Sequence, residues 1–108
     1  MSTDGKIIIM DDDIDYANFI LDVTNSLGFN SSITTNPNDF MDLFNPEVSL
    51  VFLDLNIPNI NGLDLLRFIE QKQGKCDIVL MSGVEDRILE AAEAFAVSIK
   101  LSVVGRFQ

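Results

Sequence analysis

A chain of 108 residues is the length of one small domain, with room for a single hydrophobic core and none for a separate catalytic unit. Its formal net charge of −10 and its lack of histidine argue against direct nucleic-acid binding and exclude Ser/His and Cys/His nucleophile systems, so carboxylates must carry any chemistry. The lone Cys76 rules out an intrachain disulfide, no apolar run is long enough to span a bilayer, and the opening MSTDGK lacks a signal-peptide layout, so a soluble cytoplasmic domain with a buried, inert thiol and no membrane contact is expected.

The first apolar run, Lys6-Ile-Ile-Ile-Met10, reads as a strand. Ile14 to Leu27 follows as a helix, with Tyr16, Ile20, Val23 and Leu27 at helical spacing and Gly28 to close it. Ser31 to Thr35 can form a short second strand. Asn36-Pro37 then resembles an N-cap followed by proline at the first helical position, ahead of Phe40, Met41, Leu43 and Phe44. Ser49 to Asp54 is the clearest buried strand, unbroken in its hydrophobicity until it ends on a carboxylate. Asn61-Gly62 opens a helix with Leu63, Leu66 and Ile69 on one face, and Gly74 is placed to end it. Asp77 to Ser82 reads as a fourth strand, and Glu85 to Ile99 as a long helix with Ile88, Ala92, Phe95 and Ile99 inward. Ser102 to Phe107 reads as a fifth strand. Five strands and four helices in strict alternation imply an α/β doubly wound sheet with right-handed crossovers, spanning residues 1–108 as one domain.

Ligands of such sheets bind beyond the carboxyl ends of the strands. The residues there are Asp11-Asp12-Asp13, Asp54-Leu55-Asn56 and Ser82-Gly83. Four carboxylates close together would repel one another, and a hard divalent cation such as Mg²⁺ relieves that repulsion with oxygen ligands. Taken alone, the aspartate run reads first as a solvated turn or a helix cap, and Ser82 as a plain turn residue. Asp54, set between Leu53 and Leu55, is costly unless it is paired or used. A carboxylate there can attack a phosphoryl donor to form an aspartyl phosphate, with Ser82 hydrogen-bonding the new oxygens and Gly83 allowing close backbone approach.

Three strings carry a family resemblance: Ile7-Ile-Ile-Met-Asp-Asp-Asp13, Val51-Phe-Leu-Asp-Leu-Asn-Ile-Pro-Asn-Ile-Asn-Gly62 and Val79-Leu-Met-Ser-Gly83. In order and at matching separations, they resemble the bacterial response-regulator receiver domain of two-component signalling over nearly the whole chain. The resemblance implies a flavodoxin-like five-stranded parallel sheet in the order 2-1-3-4-5. It also implies Asp54 as phosphoacceptor, Asp12 as a direct Mg²⁺ ligand, Asp11 acting through a water ligand, and Asn56 completing the metal shell with its backbone carbonyl. Ser82 would be the hydroxyl that senses the phosphoryl group, while Pro58 and Gly62 shape the loop after Asp54. The implied donor is a sensor histidine kinase or phosphotransfer protein, and the effector lies outside this chain. Asp13 is read as a helix cap.

The departures are equally specific. The Lys-Pro pair that the family carries after its fifth strand, and its fifth helix, have no counterpart before Gln108. Lys100 precedes the strand and reads as a solvated helix-end charge, and Arg106 stands at the position of the aromatic switch residue. A C-terminally truncated receiver, open to homodimerisation through uncovered apolar surface, is therefore expected. A receiver that no longer accepts phosphate and serves as a docking module is the main alternative. A phosphatase of the haloacid dehalogenase type would use Asp11 and Asp13 as its Asp-x-Asp pair but leaves Asp54-Leu-Asn56 unexplained. A flavin-binding domain would need a phosphate loop free of three aspartates. The last residues, Ile99 to Gln108, resemble receivers joined to cyclic-di-GMP phosphodiesterase domains of the EAL type.

Overall fold

A computed structural model describes residues 5–58, 61–72, 75–82 and 86–107, the side chains of residues 86–88, 106 and 107 excepted. The expected contributions of Gly74, Gly83, Glu85, and the Ile88 and Arg106 side chains lie outside the described residues.

The elements run β1 (Lys6–Met10), α1 (Ile14–Ser26), β2 (Asn30–Thr34), α2 (Pro37–Leu43), β3 (Val48–Asp54), α3 (Gly62–Gln71), β4 (Asp77–Met81), α4 (Asp86–Ser98) and β5 (Ser102–Phe107). All strand pairs are parallel, and the sheet order is β2-β1-β3-β4-β5. β1 and β4 bury nearly every residue because helices cover both faces of the sheet, which is why they read as continuous apolar runs. The larger core lies on one face and joins Ile8, Met10, Val51, Leu53, Ile78 and Leu80 to Phe40 of α2, Leu65, Leu66 and Ile69 of α3, and Leu89, Ala92 and Ala96 of α4. The smaller core on the opposite face joins Ile7, Ile9, Val79 and Met81 to Ala17 and Ile20 of α1. No helix among the described residues is long and apolar enough to cross a membrane.

Strand and helix existence follow the sequence reading, but the faces of α1 and α3 are corrected and that of α4 is extended. α1 buries Ala17, Ile20 and Thr24, whereas Tyr16, Val23 and Leu27 are exposed, Leu27 at 64%. Apolarity selected the wrong stripe. Ala17 brings the helix close to the sheet, and the Thr24 hydroxyl donates to its own helix at Ile20 O (3.1 Å) and lies 2.6 Å from the Ser31 hydroxyl, so a polar side chain is tolerated inside. α3 turns Leu65 inward in place of Leu63, which is partly exposed. In α4, Ala92 is buried and Phe95 and Ile99 pack partly buried against the core, as expected, and the deepest positions also include Leu89 and Ala96.

The caps explain the boundaries. Asn36 and Asn61 each accept a hydrogen bond from the backbone N–H two residues on, at 2.7 and 3.0 Å. α1 ends with Gly28 at φ 92°, its N–H donating to Asn25 O while the Phe29 N–H reaches Thr24 O, the Schellman pattern that favours glycine. α4 ends the same way, with Lys100 N–H to Val97 O and Leu101 N–H to Ala96 O, but here Lys100 takes the left-handed position at φ 68°. Lys100 is exposed, as its reading as a solvated helix-end charge requires.

Candidate functional site

The carboxyl ends of β1, β3 and β4 meet at one rim of the sheet. β1 continues one residue beyond its last strand position, because the Asp11 N–H donates to Thr34 O of β2 (3.1 Å). The aspartate run thus begins inside the sheet and leaves it at Asp12. Asp54 is the last residue of β3, in register with Met81 of β4, and the following Leu55 N–H donates to Met81 O (2.8 Å). Ser82 is the next residue along β4's path and is buried.

This topology brings together three of the carboxylates named from sequence. One oxygen from each of Asp11, Asp12 and Asp54 lies within 4.8 Å of the others. Their environments differ: Asp11 is 3% exposed, Asp54 is half-buried and Asp12 is open to solvent. Burial raises the Asp11 carboxyl from its ordinary 3.8 to about 7. The Asp13 N–H, donating to Asp11 Oδ1 at 2.9 Å, opposes that shift, while the nearby Asp54 and Asp13 carboxyls add to it. The pocket therefore holds more negative charge than it can carry comfortably, on hard oxygen donors.

Asp13 stands apart from this cluster. Its side chain accepts the Tyr16 N–H (3.2 Å) and caps α1, as expected, with its carboxylate at the positive end of the helix. That commitment removes the Asp-x-Asp pair that a dehalogenase-type phosphatase would need.

Asp54 Oδ1 accepts the Asn56 N–H at 2.8 Å, folding the chain into a tight turn immediately after β3. Gly62 is buried against that turn, and a Cβ there would lie 2.6 Å from Leu55 Cδ2, so a side chain would displace Leu55. The Asn56 side chain points back across the rim, where its Oδ1 accepts from the Ser82 hydroxyl at 3.4 Å. Sequence reasoning named Asn56 for its backbone carbonyl alone and missed this contact. No pattern in the sequence signals it, since it arises from the β3–β4 register. Sequence reasoning also missed Thr34, whose backbone oxygen fixes where the aspartate run leaves the sheet.

The sequence pattern of the response regulator receiver domain matches residues 7–103. The chain belongs to this family. As a receiver domain, it is a regulatory module of two-component signal transduction. It is 33% identical over 91 residues to the transcriptional regulatory protein FixJ of Bradyrhizobium diazoefficiens, a match covering 80% of this chain and 42% of FixJ. The receiver thus spans less than half the length of the curated relatives it matches. A response regulator from Colwellia psychrerythraea superposes with a TM-score of 0.81 at 26% identity, covering 96% of this chain and 83% of that one. A response regulator from Burkholderia pseudomallei, solved with a phosphorylated aspartic acid and a calcium ion, shares the fold at a TM-score of 0.76 and 18% identity, covering 96% of this chain and 59% of that one. The phosphodiesterase output suggested by the terminal residues finds no support in the curated relatives, which are named as transcriptional regulators.

Proposed function

We propose that this receiver accepts a phosphoryl group on Asp54 from a sensor histidine kinase or phosphotransfer protein and thereby switches an output located outside the chain. The observation that carries this reading is the convergence of Asp11, Asp12 and Asp54 at the rim, with the buried Ser82 one residue past the Met81 that pairs with Asp54. One Asp54 oxygen is committed to the Asn56 N–H. The other attacks phosphorus as the bond to the donor nitrogen breaks, and that bond's electron pair leaves with the donor. The half-buried position of Asp54 leaves it reachable by a donor side chain while the strand beneath holds it still. The Ser82 hydroxyl then donates to an oxygen of the transferred group.

The donor set fits Mg²⁺: hard carboxylate oxygens, one of them on a buried aspartate whose ionisation is otherwise costly. Asp11, Asp12, Asp54 and the Asn56 backbone carbonyl would hold the ion. When bound, Mg²⁺ neutralises charge on the incoming phosphoryl oxygens. The calcium ion and phosphorylated aspartate named for the Burkholderia pseudomallei protein support the same chemistry here.

The test is incubation with a small phosphodonor such as acetyl phosphate, with and without EDTA. The expected result is uptake of one phosphoryl group in Mg²⁺, abolished by EDTA and by Asp54→Asn. Equal uptake by Asp54→Asn, or none by the wild-type chain, contradicts the proposal.

A further inference from the structure

We propose that the Asn56 side chain is a positioning residue for Ser82. Its amide oxygen holds the Ser82 hydroxyl in the resting domain and surrenders it when a phosphoryl group arrives on Asp54. This deepens the phosphoacceptor reading and rests on it.

Both partners are fixed by the sheet. The Asp54–Met81 register ties the ends of β3 and β4 together, and the bond from Leu55 N–H to Met81 O lies one residue before each partner. The bond from Asn56 N–H to Asp54 Oδ1 then sets the direction of the Asn56 side chain. Ser82 is buried, so its hydroxyl must keep hydrogen-bond partners within the protein. At 3.4 Å, Ser82 Oγ to Asn56 Oδ1 is longer than an ordinary hydroxyl hydrogen bond and so a weak contact between neutral groups. An anionic phosphoryl oxygen is a much stronger acceptor. The hydroxyl therefore exchanges a weak acceptor for a strong one, and Asn56 competes with the phosphoryl group for the same donor. One end of the resting contact sits on the turn after Asp54 and the other at the exit of β4, so its exchange links the phosphoacceptor turn to the end of that strand.

A double-variant cycle tests this. Affinity for beryllofluoride, a phosphoryl mimic, is measured by calorimetry at saturating Mg²⁺ for the wild-type chain, Asn56→Ala, Ser82→Ala and the double variant. Loss of a competing neutral hydrogen bond should tighten binding about threefold in Asn56→Ala. The same substitution should have no effect once Ser82 is alanine. Asn56→Leu, which fills similar space without an acceptor, should behave as Asn56→Ala does and guards against a collapse specific to the smaller residue. An equal change in both Ser82 backgrounds, or no change in either, overturns the role of Asn56 and leaves the phosphoacceptor reading intact. A wild-type chain that binds no beryllofluoride, or binds it equally after Asp54→Ala, overturns both.

Discussion

Replacing Asp11 by asparagine should stabilise the metal-free domain at alkaline pH. Asp11 is 3% exposed, and its carboxyl titrates at about 7 in the folded chain against 3.8 ordinarily. A raised folded value means that protonated Asp11 favours folding. Its contribution is complete below pH 3.8 and is lost as pH rises through about 7. At pH 8 the folded protein therefore bears the full cost of a buried, crowded carboxylate. At about 1.4 kcal/mol per pH unit, the gap between the two values sets a ceiling of about 4 kcal/mol. Residual hydration at the rim reduces this to about 1–3 kcal/mol. Asparagine keeps an Oδ1 to accept the Asp13 N–H and introduces an NH₂ that can donate to Asp54, so no buried polar group is stranded. Urea unfolding in EDTA at pH 8, 6 and 4.5 should show the largest gain at pH 8 and a progressively smaller one on acidification. Destabilisation at pH 8, or a gain independent of pH, would refute the reasoning.

Three further expectations follow from particular residues. Lys100→Gly should stabilise the chain by about 1 kcal/mol in denaturant titration, because Lys100 occupies a left-handed position at φ 68° that Gly28 fills at the end of α1; no gain would mean that the strain is relieved elsewhere. Cys76 is buried, and burial pushes its thiol up to about 11, so native protein at pH 8 should react with a thiol reagent only through unfolding, and fast labelling without denaturant contradicts this placement. Mg²⁺ should raise the melting temperature, by about 2.7 kcal/mol of stability at a hundredfold excess over its Kd, and the Asp12→Ala, Asp54→Ala double variant should show no such rise.

Fold and site were legible in the sequence to different depths. β1 and β4 announced themselves because they are covered on both faces, which favours unbroken apolar runs, and β3 through its apolar Leu50–Leu53 stretch, although Leu50 and Phe52 stay half-buried. Helix starts were equally plain, since Asn36 before Pro37 and Asn61 before Gly62 are capping chemistry written locally. Helix faces were not. In α1, apolar residues occupy both the buried stripe and an exposed one that includes Phe19 at 63%, so periodicity alone could not choose. The choice fell to Ala17 for its size and to Thr24 for its satisfied hydroxyl, and both reasons are tertiary. The carboxylate cluster was readable because strand ends in a doubly wound sheet converge. Which carboxylate bears the cost was not, because the burial of Asp11 depends on β2 continuing to Thr34 beside it. The Asn56–Ser82 contact links residues 26 positions apart and follows from β-sheet register alone.

The most direct test of the account is to locate the phosphoryl group itself. After treatment with acetyl phosphate and Mg²⁺, borohydride reduction converts an aspartyl phosphate to homoserine, and peptide mass spectrometry reports its position. The modification is expected at Asp54 alone, with Asp11 and Asp12 unmodified. Reduction product at Asp11, Asp12 or Asp13, or an Asp54 peptide left unchanged while phosphoryl label is present elsewhere, would contradict it.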